Sequence, residues 1–248
     1  MSSSSLPADP ESELDLVGPP LHGFRGDAPP GGPPTHPRGL TVALSREAGA
    51  RGTTIARKVG ELLGWQVFDQ EVLDYLQLDD TGRARLLADI PPSARAWADA
   101  HLARLRRDRR IDPAPETVEM LRLVLAVAAR GDVVIVGRGA GHLLPPETTL
   151  HVRVVAPFDA RANYLAQSLR LTRDEATAEV RRRDDRRATF LTRAVFQEPA
   201  DLSAYDVVVN STRLGIEGAA QVVGWAVRTK QQFADLADPA GVENFAGA

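Results

Sequence analysis

The chain has 248 residues, 43% hydrophobic and 25% charged, which is enough to bury a sizeable core in one domain. A formal net charge of -3 creates no whole-molecule field for nucleic acid or an anionic membrane, so anion binding is left to local clusters of arginine. The absence of cysteine excludes disulfides, thiolate metal sites and cysteine nucleophiles, and suits a reducing compartment.

Residues 1–6 carry no basic-then-apolar leader pattern, and the longest apolar run, 123–129, is too short to span a bilayer, so the expected location is cytosolic. Residues 1–38 hold half of the 18 prolines and almost no β-branched residues, a composition that predicts a disordered arm. The run 40–45 is β-type. After a glycine-containing turn, Ile55, Val59, Leu62 and Leu63 recur at helical spacing and Gly64 closes a helix over 53–63. Residues 66–69, 132–136 (DVVIV), 150–155 (LHVRVV) and 206–210 (DVVVN) read as further strands, and 117–130 and 216–233 as helices. Val- and Ile-rich strands alternating with helices predict an α/β fold with a mostly parallel sheet covered on both faces. Two stretches interrupt the alternation. Residues 70–116 form a charged helical insertion. Residues 172–200 form another, which carries Arg181, Arg182, Arg183, Arg186, Arg187 and Arg193 and opens with a Thr172/Glu175 capping box. The expected domain spans 39–234, with a flexible tail from 235 onward.

In an open α/β sheet, ligands bind beyond the carboxyl ends of the strands, where the first strand-to-helix turn offers free N–H groups to anions. That turn reads Ser45-Arg46-Glu47-Ala48-Gly49-Ala50-Arg51-Gly52-Thr53-Thr54. Laid against G-x-x-x-x-G-K-[ST], it puts Arg46 and Arg51 at the two glycines, Gly52 at the lysine and Thr53 at the Mg-binding hydroxyl. Only the hydroxyl matches, which leaves two readings: a phosphate loop of non-standard form, or an ordinary glycine turn capped by Thr53. The chain has only two lysines, Lys58 and Lys230, and Lys58 lies more than one turn into the helix, pointing away from any phosphate. A cation serving the phosphates would then be arginine, whose planar fork suits phosphate oxygens.

The run SREAGARGTTIARKVGELLGWQVFDQEVLDYL resembles the start of the cytidylate kinase-like proteins, whose first loop typically reads S-R-E-x-G-S-G-G and whose second strand ends in Y/F-D-[RQ]-E. Three later segments resemble the family in order: VIVGRGA at 134–140, the arginine-rich RRRDDRR at 181–187, and YDVVVNSTRLGI at 205–216. The resemblance covers about 40–230. It implies the P-loop nucleoside monophosphate kinase architecture: a five-stranded parallel sheet, an acceptor-binding insertion supplied by 70–116, and a lid supplied by 172–200. It further implies Mg-ATP-dependent phosphorylation of a nucleoside monophosphate, CMP or dCMP.

Under that resemblance Gly49, Ala50, Gly52, Thr53 and Thr54 give backbone donors to the ATP phosphates, and the Thr53 hydroxyl ligates Mg²⁺, a role compatible with plain N-capping. Arg51, bulky where the family has glycine, either diverts the loop or turns inward to take over the lysine's charge. Arg138 resembles the arginine that binds the acceptor monophosphate, although Gly139 replaces the aspartate of the family's G-R-D; the competing reading is a surface or sheet-edge charge. Arg183 and Arg187, at i and i+4, resemble lid arginines oriented by Asp184 and Asp185, or else form a solvated helix face. Asp69 either orients substrate or caps a helix. The run 104–110 reads as a solvated basic face and His142 as a surface residue. The alternative function is a nucleotide-binding regulatory module without phosphotransfer, favoured by the missing lysine and the G-R-G sequence. Nucleic-acid binding ranks last, because the arginines lack interleaved aromatics.

Overall fold

The structure, a computed structural model, describes residues 39–197 and 201–237. The arm expected over 1–38 and the tail beyond 237 lie outside the described residues.

Strands β1 (Thr41–Arg46), β2 (Gln66–Phe68), β3 (Val133–Val136), β4 (Thr149–Val155) and β5 (Val207–Asn210) form one sheet in the order β2-β3-β1-β4-β5, every neighbouring pair parallel. Parallel pairing requires crossovers, and these helices cover both faces, so β3 and the middle of β1 are continuously apolar, whereas β4 alternates, with His151 and Arg153 on one face and Leu150, Val152 and Val154 on the other. On one face Val42, Leu44, Val134, Val136 and Val152 meet Ile55 and Val59 of α1 (Gly52–Leu63) and Val223 and Val227 of α9 (Ser211–Ala237). On the other, Ala43, Phe68, Val133 and Ile135 meet Leu121, Val124 and Leu125 of α5 (Pro115–Ala129). Each fully buried aliphatic side chain contributes about 1.5–3 kcal/mol, the main favourable term for the fold.

Within residues 70–116 the chain forms α2 (Gln70–Leu78), α3 (Asp80–Ala88) and α4 (Pro92–Arg107) before entering α5. The charge pattern of this stretch conceals a substantial apolar face. Leu73, Leu76, Trp97, Leu102 and Leu105 join the α5 core, while α3 buries no residue fully and rests on it only through the partly buried Leu86 and Leu87. A short α6 (Ala140–Leu143) follows β3, and α7 (Phe158–Ser168) follows β4.

Helix α8 (Arg173–Ala194) opens with the expected capping box: Glu175 Oε2 accepts the Thr172 N–H at 2.8 Å and Thr172 Oγ1 accepts the Glu175 N–H at 3.4 Å. Ala176 and Val180 seat it on Ala162 and Leu165 of α7, and its arginine-rich middle then crosses the carboxyl ends of the central strands. In α9 the backbone breaks at Gly215 (φ 68°, ψ 178°), a left-handed φ that glycine tolerates. Residues 211–214 are therefore a separate single turn of helix, whose Thr212 and Arg213 N–H groups donate to Asn210 Oδ1, and the long helix starts at Ile216 as its spacing predicts. Among the described residues no helix is long and apolar enough to cross a membrane.

Candidate functional site

The loop joining β1 to α1 is compact. Gly49, at φ 75°, lies so close to α7 that a Cβ would stand 2.6 Å from the Arg161 carbonyl oxygen, so no side chain fits. The Ala50 N–H is donated to the Glu47 carbonyl at 3.2 Å, which closes the turn and removes Ala50 from the expected phosphate donors. Arg51 takes the left-handed conformation (φ 59°), and its carbonyl accepts the first helical bond, from the Ile55 N–H at 3.1 Å. The N–H groups of Gly52, Thr53 and Thr54 precede that bond and have no partner within the helix, so they project from an electropositive N-terminus. The N-cap position is Arg51, not Thr53, and its side chain makes no capping bond. The position matching the motif's lysine, Gly52, faces Arg46: a Cβ there would lie 2.5 Å from the Arg46 Cβ.

Two cavities open above the carboxyl ends of the strands. One, about 280 Å³, runs from Thr53 and Asp69 up to Arg182 and Arg183 of α8. The other, about 390 Å³, covers Arg138 and Arg153 and is roofed by Phe190 and Leu191. They meet at Arg46, Gln70, Arg186 and Arg187, which line both. Among the described residues, six arginines line the first cavity against two carboxylates, Asp69 and Glu71, a balance that suits a polyanion.

Arg138 is the middle of three consecutive left-handed residues, Gly137 (φ 83°), Arg138 (φ 55°) and Gly139 (φ 69°), a bend that turns its side chain into the second cavity. There its guanidinium donates to Asp74 of α2 and lies 5.8 Å from the Phe190 ring centroid. Burial pushes its pKa below the ordinary arginine value, and its Nε is buried without a partner. It is therefore neither a surface nor a sheet-edge charge. Asp69 caps α2 by accepting the Val72 N–H at 3.1 Å and pairs with Arg57 at 3.1 Å, so both carboxylate oxygens are engaged at the edge of the first cavity.

Arg51 lies over the Tyr164 ring, 5.3 Å from its centroid, is exposed, and borders a third cavity of about 30 Å³ beside Thr53. Arg183 and Arg187 both face the first cavity, and Arg187 the second as well. The expectation that Asp184 and Asp185 orient them needs correction for Arg183, whose Nε donates to Glu179 at 2.6 Å. Hydrogen bonds from Arg182 first, and Arg183 next, hold the Glu179 carboxyl down at about 2. Asp184 instead reaches Arg161 (2.5 Å) and the Ala48 N–H (2.7 Å), with Arg187 3.7 Å away. Lys58 points away as expected, toward Glu61 and Glu217. Arg106, Arg107 and Arg109 of the second basic run lie apart from the site, exposed around a shallow cavity beside Phe196.

His142 is not a surface residue. Its ring sits 4.8 Å from that of His151 and 6.0 Å from that of Tyr205, and burial lowers its pKa. His151 is only 4% exposed, and burial, with His142 beside it, lowers its pKa to about 4. The neutral ring has a defined tautomer: Nδ1–H donates to the Ala204 carbonyl at 2.7 Å, so Nε2 accepts from the Ser45 hydroxyl at 3.2 Å. Arg153, two residues along β4 on the same face, donates to the Tyr205 hydroxyl at 3.1 Å. Ser45 and Arg153 line the second cavity, so this cluster forms its back wall. The strand period of two was the available signal for pairing His151 with Arg153.

A parallel sheet in this order, a phosphate-type loop after its central strand and an arginine-bearing helix across the strand ends define a P-loop kinase fold. A solved structure of an uncharacterized protein from Eubacterium ventriosum shares that fold, with a TM-score of 0.54 at 16% identity over 77% of this chain and 99% of that one. A shikimate kinase from Bacteroides thetaiotaomicron aligns at a TM-score of 0.42 and 18% identity over 76% and 98%. Residues 41–213 match the cytidylate kinase-like family, and the chain belongs to that family. A cytidylate kinase from Ignicoccus hospitalis is 26% identical over 182 residues, 73% of this chain and 95% of that protein.

Proposed function

We propose that the protein is a kinase that transfers a phosphoryl group from Mg-ATP to a nucleoside monophosphate, CMP or dCMP by family. One observation carries this reading: two cavities, one on the N-terminus of α1 and one on Arg138, meet at Arg46 and Arg187. ATP phosphates over Thr53 and an acceptor phosphate on Arg138 would place the travelling group between those two guanidinium groups. Phosphoryl transfer asks the protein mainly for such charge neutralisation and in-line positioning. In this reading Arg46, rather than Arg51, supplies the charge that the motif assigns to lysine: its Cβ and Cγ fill the space beside Gly52, and its guanidinium reaches on to Gln70 and Gly137, where the two cavities meet. Arg183 and Arg187 close over the transferring group. Thr53 and Glu71 both border the first cavity and are hard oxygen donors of the kind Mg²⁺ accepts beside phosphates, so the residues fit a nucleotide-bound metal. Mg²⁺ so held would neutralise charge on the phosphates.

The test is coupled ADP release with ATP, Mg²⁺ and a panel of nucleoside monophosphates. Turnover with CMP or dCMP above the other bases is the expected result. ATP binding without turnover on any acceptor would favour the regulatory module instead, a reading that draws on the engagement of Lys58 and Lys230 away from the site. Neither binding nor turnover would overturn both.

A further inference from the structure

Arg161 is only 8% exposed, and a guanidinium is tolerated at such depth only where acceptors surround it. Its Nε donates to the Ala156 carbonyl at 3.1 Å and lies 3.4 Å from Glu47 Oε2. Its Nη1 donates to the Ala48 carbonyl at 3.2 Å and to Asp184 Oδ2 at 2.5 Å. The other oxygen of Asp184 accepts the Ala48 N–H at 2.7 Å and stands 3.7 Å from Arg187. Glu47 Oε2 in turn accepts the Ala156 N–H at 3.1 Å. One ion pair therefore grips both the N–H and the C=O of Ala48, with its base from α7 and its acid from α8. The same Arg161 backbone presses on Gly49 and leaves it no room for a Cβ.

The loop that begins the phosphate cradle and the helix that carries Arg183, Arg186 and Arg187 are thus joined through two side chains that line neither the first cavity nor the opening beside Thr53; Asp184 borders the second cavity and Arg161 none of the three. We propose that Asp184 and Arg161 form a latch through which α8 sets the path of loop 47–51, making both of them positioning residues for phosphoryl transfer. The functional half of this proposal rests on the kinase reading above; the mechanical half does not. When α8 lies over the loop, Asp184 fixes the Ala48 peptide, the turn that follows presents the N–H groups of Gly52 to Thr54 outward, and Arg187 is brought toward the cavities. By linkage, a nucleotide that binds the latched loop more tightly draws α8 onto it by the same factor.

The test uses the full chain and three variants. Asp184→Asn keeps the acceptor for Ala48 and removes the charge, Asp184→Ala removes both, and Arg161→Lys keeps the charge without the fork. The mechanical arm is hydrogen exchange without nucleotide. Amides in 47–52 are expected to exchange about tenfold faster in Asp184→Ala and less so in Asp184→Asn, with β3 and α5 unchanged. The functional arm is steady-state kinetics: the KM for Mg-ATP is expected to rise about tenfold in Asp184→Ala, with partial recovery in Asp184→Asn, and to rise in Arg161→Lys, which borders neither cavity, while the acceptor KM of that variant holds. Unchanged exchange in 47–52, or a uniform increase across the domain, would overturn the latch. Faster local exchange with an unchanged ATP KM would overturn the positioning role. A wild-type chain without turnover sinks the kinase reading alone and leaves the exchange result to judge the latch.

Discussion

Arg46 and Gly52 share one space: a Cβ on Gly52 would sit 2.5 Å from the Cβ of Arg46, so the arginine side chain excludes any other at the motif's lysine position. Installing the missing lysine is therefore expected to fail. Gly52→Lys should destabilise the domain by about 1–3 kcal/mol through overpacking, read as a lowered urea midpoint, and should not raise ATP affinity. Arg46→Ala should weaken Mg-ATP binding about tenfold or more by titration calorimetry, the worth of a charged hydrogen bond to phosphate, while Arg51→Ala changes it little.

Arg138→Ala should raise the acceptor KM about tenfold with little change in the KM for ATP. Arg138→Lys should recover only part of the loss, because an ammonium cannot both reach Asp74 and lie flat on Phe190. Equal losses for both substrates in initial-rate measurements would assign Arg138 a structural role.

Glu179→Gln tests the orientation of Arg183. The exposed partner Arg182 limits what the cluster adds to stability, so the melting temperature should move little. Loss of the charge that aims Arg183 should lower kcat several-fold with both KM values nearly unchanged, the signature of an interaction made in the transition state.

His151 gives the fold a pH dependence of known sign. Its pKa is depressed from 6.5 to about 4 in the folded chain, so the unfolded chain binds the proton first. The associated stability is complete above about pH 6.5 and is lost as pH falls to about 4, amounting to about 3 kcal/mol. His142, also lowered, acts in the same direction. Urea unfolding at a series of pH values should show this slope, and His151→Gln should flatten it between pH 6.5 and 4. A slope that persists in the variant would place the titration elsewhere.

The sheet and its helices were legible because valine runs and 3.6-residue spacings report burial directly, and even the start of α9 at Ile216 followed from its pattern. The chemistry of the site was legible only in part. Arg138 could be placed because glycines flank it at a strand end. Arg46 stood in plain view, but the motif labels its position as a glycine and draws attention to Arg51; only the absence of a Cβ at Gly52 shows where the space is. Asp184 was read against its helical neighbours, of which Arg187 does lie 3.7 Å away, whereas its shorter bonds go to α7 and to a loop 136 residues earlier. His142 looked like a surface residue because its ring neighbours, His151 and Tyr205, arrive from two other elements.

Among the described residues every cation bordering the two cavities is an arginine, while Lys58 is committed to Glu61 and Glu217 and Lys230 to Thr149 and Asp206. A guanidinium is not deprotonated in proteins and is no target for acetylation. The positive charge offered to phosphate is thus out of reach of both alkaline titration and the acetyl-transfer chemistry that silences lysine sites. Amine-directed dyes or cross-linkers can therefore decorate Lys58 and Lys230 and leave the cavities chemically intact, giving a labelled protein whose site still carries its full charge.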